Sequence, residues 1–120
     1  MKKNNLKVLH EFKKYLQSYY QIHKNMPKID RHMIGQKISE KNWDTYILIY
    51  NFSKIPGYKY IKKQMWTNIS DQIDLLKFLV HTCWDLKIIS DRHNILLNLK
   101  LVEVGKMWGG IGKSLDNLRS

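Results

Sequence analysis

Cysteine is nearly absent from this 120-residue chain, where Cys83 stands alone. A single thiol excludes an internal disulfide framework and leaves a cysteine-built zinc site several ligands short. Glutamate is scarce too: Glu11, Glu40 and Glu103 are the whole set, and none is followed by His three residues later. The paired Glu-x-x-His repeats of a carboxylate-bridged metal centre therefore cannot be assembled. His81 and Cys83 are too few to hold a metal, and Cys83 sits in an apolar stripe without an adjacent base, as an inert thiol does. No metal and no cofactor is expected, and no constellation of residues calls for an enzyme.

Long apolar runs are missing as well. Charge-free stretches such as Thr45 to Ser53 reach about half of the ~20 residues of a membrane span, and "MKKNNLKVLHEF" has no secretion-signal core. The expectation is a cytoplasmic protein without a membrane segment. Strand-like alternation is also lacking, which argues against a sheet.

What is present is helical periodicity, carried by 43% hydrophobic residues with four Trp and seven Tyr. Leu9, Phe12, Leu16 and Tyr19 share one side of a first helix over about 5–24, with Lys3, Lys7 and Lys14 opposite. Pro27 breaks the pattern and suits the first turn of a second helix over 28–55. "KIPGYK" turns the chain into a third, over 58–86, with Ile69, Ile73, Leu76, Val80 and Cys83 on one stripe. Ser90 is placed to cap a fourth, over 91–118, and Asp91 to favour its dipole. Here Leu97, Leu101, Val104, Trp108, Ile111, Leu115 and Leu118 alternate at four and three residues. Four such helices on short connections predict an all-α, antiparallel up-down-up-down four-helix bundle, a single domain over 1–120.

The second helix is apolar on two sides. Ile34, Ile38, Thr45, Ile49 and Phe52 point one way, and Trp43, Ile47 and Tyr50 another. The second face suits another subunit, or is the exposed margin of a broad core face.

Charge is one-sided. Lys and Arg total 21 against 10 Asp and Glu, a net +11, and fourteen of the basic but four of the acidic residues fall within residues 1–63. Such a surplus concentrates a polyanion and makes its binding salt-dependent, although a lysine-rich surface also serves solubility. The candidate phosphate contacts are Lys13, Lys14, Lys24, Lys28, Arg31, Lys37 and Lys41 on the first two helices and Lys59, Lys62 and Lys63 on the third. Tyr19, Tyr20, Tyr58 and Tyr60, interspersed among them, can stack on bases or form core edges.

"WGGIGKS" (Trp108 to Ser114) has the tail of a phosphate-binding loop, but the first glycine of that motif would stand at Met107, and the segment lies inside a helix. Its glycines are better read as packing residues. Gly105, Trp108, Gly109 and Gly110 are candidates for close approach by another helix or subunit, with Gly109→Leu expected to disturb packing or assembly.

Two segments, "MPKIDRHMIGQKI" (Met26 to Ile38) and "LVEVGKMWGGIGKS" (Leu101 to Ser114), resemble the accessory variability determinant (Avd) family of diversity-generating retroelements. This family belongs to a wider group that includes four-helix proteins encoded in 23S rRNA intervening sequences. The first segment meets the family pattern at Pro27, Lys28, Arg31, Gly35 and Ile38, with Ile34 in place of Leu. The second meets it at Glu103, Gly105, Lys106, Met107, Gly109, Gly110, Lys113 and Ser114. "DLLKFLVHTCWDLKIIS" (Asp74 to Ser90) is similar to the family's third helix and turn, whereas Trp108, Ile111 and Gly112 depart from the usual residues. The resemblance implies a non-catalytic homopentamer that associates with the element's reverse transcriptase and template RNA. A protein-interaction scaffold and an rRNA intervening-sequence protein remain alternatives.

Overall fold

The computed structural model describes residues 3–56 and 59–117, and these form helices α1 (Lys3–Lys24), α2 (Lys28–His32), α3 (Ile34–Lys54), α4 (Lys59–Asp85) and α5 (Asp91–Asn117). The chain contains no alanine, the best helix former, so its helices depend on burial more than on intrinsic propensity. Side-chain pairs fix the directions. Tyr15 meets Asn42 while Tyr19 meets Gly35, and Trp66 meets Trp108 while Lys63 meets Asp116. In each pair of helices one number rises as the other falls, so α1 and α3, and α4 and α5, run antiparallel. The long helices pack in the cyclic order α1, α3, α4, α5, within a rod of 52 × 21 × 20 Å. This is the expected all-α bundle.

The buried stripe of α5 is the one its spacing predicts, from Leu97 to Leu115, and Leu118 lies outside the described residues. On α1 the stripe is shifted: Val8, Phe12, Tyr15, Tyr19 and Ile22 are buried, while Leu9 and Leu16 are half-buried. The tyrosines can go inside because α3 supplies their hydroxyls with acceptors, Asn42 Oδ1 at 2.8 Å from Tyr15 and the Gly35 carbonyl at 2.7 Å from Tyr19.

One expected element is corrected. Residues 28–55 are not one helix, because the backbone departs from helical geometry at Met33 (φ −105°, ψ −101°). In an unbroken helix the Arg31 carbonyl would accept from the Gly35 amide; here the His23 ring donates to it at 3.0 Å. Arg31 in turn donates from Nη1 to the Lys24 carbonyl at 3.2 Å, satisfying one of the open acceptors at the end of α1. Gly35 permits this approach, since a Cβ there would come within 2.8 Å of the His23 ring.

At the C-terminal end of α4, Ile88 donates to the Cys83 carbonyl and Lys87 to that of Trp84, both at 2.9 Å, with Lys87 in the left-handed region (φ 60°). This is the hydrogen-bond pattern of a Schellman stop, with Lys where Gly is usual. The Ser90 hydroxyl then accepts from the His93 amide at 3.1 Å and opens α5 as expected.

Helices α4 and α5 are clasped by two tryptophans. Trp66 Nε1 donates to the Trp108 carbonyl at 2.8 Å, Trp108 Nε1 donates to the Trp66 carbonyl at 3.1 Å, and the rings stack 6.3 Å apart at 8°. The glycine this demands is Gly112, where a Cβ would lie 2.5 Å from the Trp66 ring. Gly109 and Gly110, expected to admit a neighbouring helix, meet nothing within 4 Å inside the chain, and a Cβ on Gly105 would meet the flexible end of Lys77 at 3.1 Å. The close approach between α4 and α5 therefore lies at Gly112. Gly110→Ala should stabilise the protein by about 0.5 to 1 kcal/mol, as for an open helix interior, whereas Gly112→Ala should destabilise it; thermal melts of the two variants should move in opposite directions. Gly109→Leu should leave the fold of one chain intact, so any effect on it would report assembly.

Candidate nucleic-acid interface

The ten candidate cations do not form one patch. Antiparallel order carries Lys24, Lys28 and Arg31 to one end of the rod and the start of α4, with Lys62 and Lys63, to the opposite end. At the first end Lys24 and Lys28 are exposed, and Arg31 is half-buried by its bond to the end of α1. Asp30 and Asp91 share this end, and Asp91 accepts the Trp84 indole N–H at 2.7 Å.

Several candidates have other employment. Lys14 pairs with Glu11 at 3.1 Å, and Lys63 with Asp116 at 3.1 Å. Lys41 is half-buried and lines a hollow between α3 and α4 beside Asp44 and Gln72. Lys62 is 7% exposed, with Nζ 4.9 Å from the centre of the Phe52 ring. Its place as a phosphate contact is withdrawn, because its position on α4 turns it inward against α3. Lys37 is exposed; the side chains of Lys59 and Tyr58 lie outside the described residues. Of the candidates on α1, α2 and α3, those exposed and without a carboxylate partner above are Lys13, Lys24, Lys28 and Lys37.

The aromatic residues redistribute as well. Tyr19 belongs to the core, while Tyr20 and Tyr60 are exposed at 64% and 74%. Trp43, Ile47 and Tyr50 stand on the outer side of α3, at 54%, 52% and 42% exposure. Trp43 and Tyr20 line the same open hollow between α1 and α3, about 270 Å³, together with Lys13, Leu16, Gln17 and Tyr46. Lys24 Nζ lies 5.8 Å from the centre of the Tyr20 ring and Lys54 Nζ 4.8 Å from that of Tyr50. The sequence reading kept Tyr20 with the cations and Trp43 with the oligomer surface; only the register of α1 against α3 joins them. A second exposed apolar set, Ile95, Leu99 and Val102 on α5, escaped it although four- and three-residue spacing was there to read.

Trp108, offered as an oligomer or packing residue, is 2% exposed and belongs to the core. Cys83 is buried, and burial, reinforced by Asp30, pushes its thiol up to about 11. Burial raises Tyr15 and Tyr19 as well, Tyr15 with a smaller contribution from Tyr19. All three groups are held neutral in the folded state, with folded values above the unfolded ones. Their contribution is therefore complete below the ordinary thiol value of 9.0 and is lost as pH climbs toward 11 and beyond. Circular dichroism melts should show a flat Tm through neutrality and a fall above about pH 9, smaller in Tyr19→Phe/Cys83→Ser than in the parent.

Among the described residues no three His, Cys, Asp or Glu side chains gather as a metal site would need, and no helix is long and apolar enough to cross a membrane. No protein-family profile, curated protein or solved structure matches the chain.

Proposed function

We propose that the chain is a non-catalytic, basic, cytoplasmic accessory protein that binds nucleic acid through its phosphates and serves the reverse transcriptase of a diversity-generating retroelement. The observation that carries the binding is the net charge of +11 together with exposed Lys13, Lys24, Lys28 and Lys37 on the segments from α1 to α3. Mobile lysine cations contact phosphates without reading bases, so template RNA and its DNA copy are both suitable partners. The retroelement role, the polymerase as partner and a homopentameric state rest on the motif resemblance at Met26 to Ile38 and Leu101 to Ser114. Gel shifts test the core of the reading: affinity for RNA should drop steeply between about 50 and 200 mM salt, and a salt-independent affinity would sink it.

A second reading, a protein-interaction scaffold, is favoured by the exposed apolar residues on two helices, Trp43, Ile47 and Tyr50 on α3 and Ile95, Leu99 and Val102 on α5. Exposed apolar rows mark interfaces, and here there are two, on helices that are not neighbours in the cyclic order. Light scattering that gives a strict monomer, with no co-purification of polymerase, would reject this reading. An rRNA intervening-sequence origin shares the fold, and the flanking genes, a reverse transcriptase with a repeat pair or an rRNA gene, separate the two.

A further inference from the structure

The groove between α1 and α3 combines three features that an ordinary solvated helix face does not. Two large exposed rings line it, Tyr20 at 64% and Trp43 at 54%, and a third, Tyr50 at 42%, stands two turns beyond Trp43 on α3. Each has a cation nearby, because Lys13 lines the hollow with Tyr20 and Trp43, Lys24 stands over Tyr20 and Lys54 over Tyr50. Among the described residues no carboxylate lines the hollow. Glu11, the acid of α1, is engaged with Lys14, and Asp44 lines the hollow on the α4 side of α3. Glu40, about one turn before Trp43 on α3, is exposed and does not line the hollow.

We propose that this groove is a track for single-stranded nucleic acid, in which bases stack on Tyr20, Trp43 and Tyr50 while Lys13, Lys24 and Lys54 neutralise the phosphates. The proposal rests on the nucleic-acid-binding reading above and specifies the form bound and the place. Trp43 and Tyr50 are seven residues apart, two helical turns, so their rings follow one another along the rod by about 10 Å. In a duplex the base faces are already stacked and offer nothing to such rings, whereas an unpaired strand presents them all. Gln17 adds an amide that can meet base edges without demanding a sequence. A second copy in a two-fold contact is the poorer occupant, because that contact would set this lysine-bearing patch against an identical one.

The test is anisotropy of a labelled 12-nucleotide strand, the matching duplex, and an abasic sugar-phosphate strand of equal length, at constant low salt. The wild-type chain should favour the base-bearing strand over the abasic one by tenfold or more. Trp43→Ala should weaken the base-bearing strand by about 5- to 150-fold and the abasic strand by less than twofold, and Trp43→Phe should recover most of the loss. Tyr20→Ala, at a position still more exposed, provides an independent arm if Trp43→Ala does not fold. Equal affinity of the wild type for base-bearing and abasic strands would overturn the track while leaving phosphate binding intact. Failure to bind all three probes would overturn the nucleic-acid reading itself. Conversion of an oligomer to a monomer by Trp43→Ala, with strand affinity unchanged, would assign the face to another copy and likewise overturn the proposal.

Discussion

Trp108→Ala is expected to cost about 3 to 5 kcal/mol of folding stability, the range for truncating a large buried aromatic residue. Trp108 is 2% exposed, stacks on Trp66 and meets the Phe52 ring edge-on at 5.0 Å, so its removal opens a void among α3, α4 and α5 together. It also deletes the bond from Trp108 Nε1 to the Trp66 carbonyl, one half of the reciprocal clasp. The neighbouring backbone cannot collapse into the space without breaking the other half. Urea titration of the two proteins measures the difference, and a loss below about 1 kcal/mol would show that the clasp contributes little beyond an ordinary surface hydrogen bond. Trp108→Phe should fall between, because it keeps much of the ring contact and loses the indole N–H.

The second large effect concerns binding. Lys13→Glu/Lys24→Glu/Lys28→Glu should lower affinity for RNA at 50 mM salt by a factor of 100 or more, on the order of 3 kcal/mol or above for three reversed charges. The slope of log affinity against log salt should shrink by about 2 to 3, close to one for each phosphate contact removed. Lys14 and Lys63 supply the internal comparison, since each already has a carboxylate at 3.1 Å. Reversing those two should disturb the slope less, and an equal or larger effect would place binding elsewhere on the rod. The measurement needs only the purified chain and a salt series.

The core of α5 was legible because every residue from Leu97 to Leu115 on its four- and three-residue stripe is buried for one reason, apolar surface. The core of α1 was less so. Tyr15 and Tyr19 look like rim residues until α3 brings Asn42 and the Gly35 carbonyl to their hydroxyls, and those acceptors are 27 and 16 residues away. The break at Met33 was likewise invisible, because neither proline nor glycine occupies the position and the His23 ring that bonds the Arg31 carbonyl beside it arrives from α1. The burial of Lys62, by contrast, was legible. It stands seven residues before Ile69, on the same buried side of α4, and helix phase already set it apart from Lys63. As for the cations of the candidate interface, composition gave their number but not their engagements, which are set by partners as close as Glu11 and as distant as Asp116.

The four tryptophans also give the molecule a built-in optical map. The indole N–H groups of Trp66, Trp84 and Trp108 are all donated within the protein, and the side chains of these three are half-buried or fully buried. Trp43 is the outermost, more than half exposed beside Tyr20 and Lys13. Its emission is therefore the most red-shifted of the four and the first that a dissolved anion such as iodide can quench. The local lysines concentrate that quencher, so light from one residue reports the occupancy of one groove while the other three indoles report the integrity of the rod.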